Sequence, residues 1–294
     1  MSETLASLRR KIEGADKLKS VVRTMKAMAA SSIGQYEAAV RALASYEATV
    51  TQGLGATFRE RAYATIPPAQ TSGRTGVGAV VFGSDQGLVG QFNQVISDFV
   101  VTTLAPLPGP KVIFAVGERV RAHLTASGLD IEGEFEVPTS VTGLTSLVGE
   151  LQLASQAQRE KGRYVELYLF HNRPQSGAQY EPVSQRLLPL DAAWQLSLSE
   201  IPWPSPNLPE LLTGREDTLR ALLHEYLFIS VYKACAESLA SENAARLAAM
   251  QRAEKNIEDL ASDLRQSFYR LRQSSIDEEL FDVIAGSIER TAQR

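Results

Sequence analysis

The sequence predicts an α/β protein. Long N- and C-terminal helices pair as an antiparallel coiled coil, with a small α/β, Rossmann-like head domain inserted between them. Three observations carry this. From Glu216 to Ala285 there is neither Pro nor Gly, and a helix of that length would span roughly 100 Å, too long for an ordinary core helix. Residues 3–60 also lack Pro. Between these runs the hydrophobic period changes, with short continuous apolar segments at 77–82 and 111–116, each followed by a helix-like stretch.

The two terminal runs carry matching seams. In the second half of the C-terminal run, Met250, Ala253, Ile257, Leu260, Leu264, Ser267 and Leu271 recur at steps of three and four, a coiled-coil period. Arg252, Glu254, Lys255, Glu258, Asp259, Asp263 and Arg265 fill the remaining faces. The N-terminal run, read as one helix over 2–58, offers Val22, Met25, Ala29, Ser32, Tyr36, Ala39, Leu43, Tyr46 and Val50. One apolar stripe needs one partner, and each run supplies the other's. Gly14 and Gly34 weaken the first helix by about 1 kcal/mol each relative to Ala, so they read as close backbone approaches or mild bends. The expected shaft is therefore 1–60 plus 215–294, and the expected head is 75–214.

Pro67, Pro68, Gly73 and Gly76 make 61–76 a linker. Val77–Phe82 reads as a buried parallel strand, and Gly83–Gly90 as a glycine-rich loop before a helix over Phe92–Leu104. Strand, loop and helix are the layout of a phosphate-binding turn. The loop lacks the Lys-Ser/Thr of a Walker sequence and fits G-x-G-x-x-G poorly, so a tight turn with a polar surface for partners is the better reading. Lys111–Val116 and 117–127 repeat strand and helix, which implies a parallel sheet. A helix over 142–161, a strand over Tyr164–Phe170 and further strand over Tyr180–Leu190 complete the head. Residues 191–214 read as irregular, and Trp203, set among prolines, is either held at a surface or part of a lid over the core.

Composition narrows the function. Net charge is −4 over 294 residues, yet residues 1–30 hold seven Lys/Arg against three Asp/Glu. An acidic total without basic–aromatic interleaving argues against nucleic acid. No window nears 18 consecutive apolar residues, so no transmembrane helix is expected. Arg9, Arg10 and Lys11 leave no apolar signal-peptide core. A lone Cys235 excludes a disulfide framework and a cysteine zinc cluster, and three scattered histidines make a histidine metal site an unsupported reading.

No set of residues reads as catalytic. Glu278 and Glu279 are adjacent and point apart on a helix. Ser84-Asp85 has no His nearby in sequence and no G-x-S-x-G elbow. His171 and His224 read as structural or surface histidines, and Cys235 as a buried, inert thiol. Neither a cofactor nor a metal site is expected. The residues alone describe an interaction protein with a long rigid arm.

Three blocks then resemble a known family. Val21-Val-Arg-Thr-Met-Lys-Ala-Met-Ala-Ala-Ser31 is similar to Ile-Thr-Lys-Ala-Met-x-Met-Val-Ala-Ala-Ser. Ser84-Asp-Gln-Gly-Leu-Val-Gly-Gln-Phe-Asn93 is similar to Ser-Asp-x-Gly-Leu-Cys-Gly-x-x-Asn. Ser241-Glu-Asn-Ala-Ala-Arg-Leu-Ala-Ala-Met250 and Arg272-Gln-Ser-Ser-Ile-Asp-Glu-Glu-Leu280 are similar to Ser-Glu-x-Ala-Ala-Arg-Met-x-Ala-Met and Arg-Gln-x-x-Ile-Thr-x-Glu-Leu. These are the blocks of the gamma subunit of F-type rotary ATP synthases, and with the order helix, head, long helix the resemblance spans nearly the whole chain.

The resemblance implies a non-catalytic central-stalk rotor that couples ion flow to ATP synthesis or hydrolysis. Its implied partners are three alpha and three beta subunits, the epsilon subunit and the c-subunit ring, with peripheral association at the cytoplasmic face of a bacterial inner membrane. By position, Met25, Lys26, Arg246, Arg272, Gln273, Asp277 and Glu279 would meet the alpha/beta ring. Ser84, Asp85, Gln86 and Trp203 would belong to the foot that meets the c-ring or epsilon. There are departures. Asp277 stands where Thr is usual, Val89 replaces the loop Cys, Ser32-Ile33-Gly34 stands where Lys is usual, and Trp203-Pro-Ser-Pro206 replaces a Tyr-x-Glu-Pro-like segment. They mark a divergent member, and an alternate or sodium-type synthase is one form it could take. The rival readings are a non-rotary coiled-coil scaffold with an α/β binding head, and an enzyme holding a nucleotide on the Gly83–Gly90 loop.

Overall fold

The computed structural model describes residues 4–59, 76–175, 179–207 and 214–292. Its elements run α1 (Leu5–Arg59), β1 (Val77–Phe82), α2 (Phe92–Leu104), β2 (Lys111–Val116), α3 (Glu118–Ala126), β3 (Ile131–Phe135), α4 (Val141–Glu160), β4 (Glu166–Pro174), β5 (Tyr180–Leu188), α5 (Ala192–Ser199) and α6 (Arg215–Ala292). The linker expected over 61–76 lies, apart from Gly76, outside the described residues.

By packing, the chain forms two compact units. One contains Ala29–Leu247, and the other joins the described residues up to Met28 with those from Ala248 onward. The expected shaft and head follow element ends, whereas these units follow contacts. Tyr36 from α1 and Val231, Ala234 and Leu239 from α6 share a core with the sheet.

The larger unit is built on a five-stranded sheet of order β3-β2-β1-β4-β5. β1 pairs parallel with β2 and with β4, placing Val77 beside both Lys111 and Glu166. β3 extends the parallel side, while β5 returns antiparallel to β4. Every residue of β1 is buried, because helices cover both faces, as parallel sheets require. Alternation then assigns the faces. Ala79 and Val81 pack with Ile96 and Val100 of α2 and Val120 and Leu124 of α3. Val80 and Phe82 pack with Leu144 and Val148 of α4 and with α6. A third cluster joins Val50, Leu54 and Phe58 of α1 to Leu198 of α5 and Ile229 of α6.

In the smaller unit α1 and α6 run antiparallel. Asp16 pairs with Arg265, Lys19 with Glu258, and Arg23 and Lys26 with Glu254. Leu8, Ala15 and Ala261 are buried here.

Four expectations need correction. The seam of α6 does not contain Leu260, which is 53% exposed, while its neighbour Ala261 is 4% exposed. The small residue faces inward because it lets the partner backbone approach. Gly14 and Gly34 are not close approaches, since a Cβ at either would meet nothing within 4 Å. The close approach is at Gly55, whose Cβ would stand 2.4 Å from the Leu198 carbonyl oxygen. Finally, β3 and α5 lie where neither strand nor helix was expected. Asp191 starts α5 by accepting a hydrogen bond from the Trp194 N–H at 2.9 Å, a side-chain N-cap.

Candidate functional site

The Gly83–Gly90 loop lies at the carboxyl end of β1. Gly83 is required there, because a Cβ would fall 2.3 Å from the Cβ of Val120. Gly117, at φ +112°, lets the β2–α3 turn pass the Ser84 backbone, where a Cβ would come within 2.8 Å. Ser84 donates its N–H to Asn93 Oδ1 (3.0 Å) and its hydroxyl to the Gln86 carbonyl (3.0 Å), and its Oγ accepts from Asn93 Nδ2 (2.8 Å). Asp85 accepts from the Glu118 N–H at 2.9 Å and from the Val137 N–H at 2.8 Å. Its carboxylate therefore caps the N-terminus of α3, a position that attracts anions, and ties that helix to the segment after β3.

This geometry divides the expected foot residues. Ser84 is 0% exposed, so its part is to hold the loop rather than to touch a partner. Asp85 is half-buried and Gln86 is exposed. Leu88 was not among the expected residues. It is 61% exposed and sits at φ +64°, a left-handed conformation that costs an L-residue roughly 1–2 kcal/mol. Backbone strain of this kind persists only where the surrounding structure over-determines it. Trp203 is half-buried in the segment after α5.

A second polar group joins β4 to α6 inside the larger unit. His171 Nε2 donates to Glu237 Oε2 at 2.7 Å, and Arg173 Nε reaches the same oxygen at 3.4 Å. Burial alone would raise the Glu237 carboxyl. The hydrogen bond from His171 and the charges of His171, Arg173 and Lys233 outweigh burial and hold it below the ordinary carboxylate value. His171 is thus a structural histidine, as expected, and His224 is exposed. The Ser241 hydroxyl donates to the Asn172 carbonyl at 2.8 Å. Arg246, an expected partner-contact residue, is only 14% exposed at its side chain and donates to Glu242 at 2.6 Å, one turn away. Burial raises the Glu242 carboxyl, Arg246 opposes that, and Asp85 adds to it. The Glu and Arg of the Ser-Glu-x-Ala-Ala-Arg block therefore pair with each other, while the buried Arg246 Nε keeps no hydrogen-bond partner among the described residues. Burial also pushes up the Cys235 thiol, which accords with an inert role.

In the smaller unit, Met25 and Lys26 are half-buried on α1. Lys26 Nζ and Arg23 Nε converge on Glu254 at 2.5 and 2.8 Å. Those two hydrogen bonds, Lys26 first, bring the Glu254 carboxyl down to about 2. Further along α6, Arg272, Gln273, Asp277 and Glu279 are all exposed, with no ion pair among the described residues. At 100° per residue they interleave with Tyr269, Ile276, Leu280 and Ile284 on one half of the helix, and those four are exposed too. Leu264, Phe268 and Leu271, on the other half, are partly covered. The coiled-coil seam does not include this stripe, although the spacing 269, 276, 280, 284 is a second helical period in the sequence. Four large apolar side chains exposed on one half of a helix, set among charged ones, exceed the scattered surface hydrophobics of an ordinary helix.

Among the described residues no group of three His, Cys, Asp or Glu could hold a metal ion. None of the described helices is long and apolar enough to cross a membrane.

Comparison with known proteins places the chain in a family. The family model described as ATP synthase matches residues 4–288. The ATP synthase gamma chain of Frankia casuarinae is 30% identical, over 98% of each chain. That of Moorella thermoacetica is 29% identical over 96% of this chain and 98% of its own. Among solved structures, a chain of the Euglena gracilis mitochondrial ATP synthase, in its OSCP/F1/c-ring assembly, shares the fold with a TM-score of 0.65. It is 17% identical and is covered over 95% of its length by 98% of this chain.

Proposed function

Because the chain belongs to the gamma-chain family of F-type ATP synthases, the central-stalk subunits, we propose that it is a rotor that transmits torque between a membrane c-ring and a catalytic alpha/beta hexamer. The observation that carries this reading is the antiparallel clamp of α1 on α6, in which Asp16, Lys19, Arg23 and Lys26 pair in order with Arg265, Glu258 and Glu254. Two helices tied at successive turns resist shear and twist better than either alone, and torque transmission needs that stiffness.

In this reading 1–60 and 215–294 act as the shaft and 75–214 as the foot. Arg272, Gln273, Asp277 and Glu279, with the apolar stripe between them, meet the alpha/beta ring. Met25 and Lys26 meet it lower on the shaft, and Arg246 stabilises the helix there through Glu242. Gln86 and Trp203 contact epsilon or the c-ring, and Ser84 and Asp85 shape the loop that presents Gln86. Catalysis belongs to the partner subunits. Association with the cytoplasmic face of a bacterial inner membrane is peripheral and runs through the complex.

Co-purification from a tagged chain, with mass spectrometry of the partners and an ATPase assay of the eluate, tests this. Recovery of alpha and beta subunits with ATP hydrolysis supports it. A chain that elutes alone, or with unrelated proteins, overturns it in favour of a scaffold.

A further inference from the structure

Between α4, the β1–β4–β5 face of the sheet and the early turns of α6 lies a cavity of about 430 Å³, a size usual for small-molecule sites. Its floor is apolar, formed by buried Val80, Leu151, Leu167, Leu188 and Val231. Its solvent side carries Gln156, Arg159, Glu160 and His224, all exposed. The charges there are not equivalent. Glu160 accepts a hydrogen bond from Gln156 Nε2 at 2.8 Å. Arg159 makes no ion pair among the described residues, although its guanidinium is a five-donor fork suited to a carboxylate.

We propose that this cavity is a binding site for a single-chain carboxylate of the fatty-acid class, with the alkyl chain on the leucine floor and the carboxylate on Arg159. The volume admits one alkyl chain, whereas a two-chain phospholipid exceeds it. An apolar floor with one unpaired cation at its rim fits an amphiphile with a negative head. An alcohol finds no charge-assisted contact there. The inference is independent of the torque reading, since none of these residues lies on the clamp or on the exposed stripe of α6.

Isothermal titration of the full chain tests it, with decanoate, decanol and decyltrimethylammonium as probes below their micelle concentrations. Decanoate is expected to bind saturably at one site and more tightly than the other two. Arg159→Gln should weaken it about tenfold, the loss expected for one charge-assisted contact. Gln152→Trp, which places an indole in the cavity from a half-buried position of α4, should abolish binding without lowering the melting temperature. If that variant does not fold, a photoreactive decanoate must label the 151–160 or 224–231 segments instead. Equal affinity for the alcohol or the cation, no saturation, no effect of Arg159→Gln, or labelling elsewhere overturns the site. Binding to phosphatidylglycerol vesicles without decanoate binding overturns it as well, by assigning Arg159 to a membrane surface.

Discussion

The Lys26 ammonium donates to the Glu254 carboxylate at 2.5 Å across 228 positions of sequence, and Arg23 reaches the other oxygen at 2.8 Å. Two cations hold the carboxyl at about 2, below its ordinary value near 4.5. The sign follows from linkage. The folded pKa is depressed, so the stabilising contribution is fully present above about pH 5 and drains away as pH falls towards 2. Glu254→Gln should flatten the acid limb of a stability–pH curve between those limits and leave the neutral-to-alkaline shape unchanged. Thermal melts from pH 2 to 8 read this, and a limb as steep as in the parent chain would refute the clamp.

Glycines of α1 give opposite predictions. Gly34 has open space where a Cβ would stand, so Gly34→Ala should stabilise by about 0.5–1 kcal/mol, the helix-propensity difference. At Gly55 the Cβ would lie 2.4 Å from the backbone oxygen of Leu198. Gly55→Ala must therefore push α5 away from α1, at a cost of about 1–3 kcal/mol. Denaturant midpoints of the two variants should move in opposite directions.

How far the sequence carried the fold follows from burial. β1 and β2 were legible to the residue because strands covered on both faces read as unbroken apolar runs. β3 reads Ile-Glu-Gly-Glu-Phe, an edge strand whose two glutamates alternate outward, so it presents no run. α5 has its cap at Asp191, but eight residues between prolines give too little periodicity to register. Leu260 was placed on the seam by size, while packing chose Ala261 by its smallness. The site blocks were legible as sequence. That Ser84 and Asp85 serve the loop was not, because their partners stand at Asn93, Glu118 and Val137, pairings that spacing does not encode.

The His171–Glu237 pair predicts a large loss from a conservative-looking change. Glu237→Ala leaves buried His171 Nε2 without its acceptor and takes a carboxylate from beside Arg173. The cost should be about 1–3 kcal/mol, the penalty of an unsatisfied buried polar group. Adding His171→Leu should recover part of that loss, since it removes the orphaned donor. A double-mutant cycle by urea unfolding measures the coupling. Purely additive losses would show that the two side chains do not act together.

Leu88 separates stability from contact. Its φ of +64° suits glycine, so Leu88→Gly should stabilise the isolated chain by about 1 kcal/mol by removing the left-handed strain. Leu88→Ala keeps the strain and should give no gain. If the exposed leucine serves a partner, both variants should weaken co-purification of that partner. Unchanged recovery in both would mean the strain is kept for the loop's own geometry.

The exposed stripe of α6 gives the sharpest contrast between chain and complex. Ile276 and Leu280 are more than half exposed, so Ile276→Asp and Leu280→Asp remove little buried area and should shift the melting of the isolated chain by less than about 0.5 kcal/mol equivalent. In an alpha/beta sleeve the same positions would face another surface, where a buried unpaired carboxylate is penalised heavily. Assembly with alpha and beta, read as ATPase activity recovered on a tagged chain, should then fall at least about tenfold, and the double variant should assemble least. Melting that falls together with assembly would place these side chains in the chain's own packing and remove them from the partner surface.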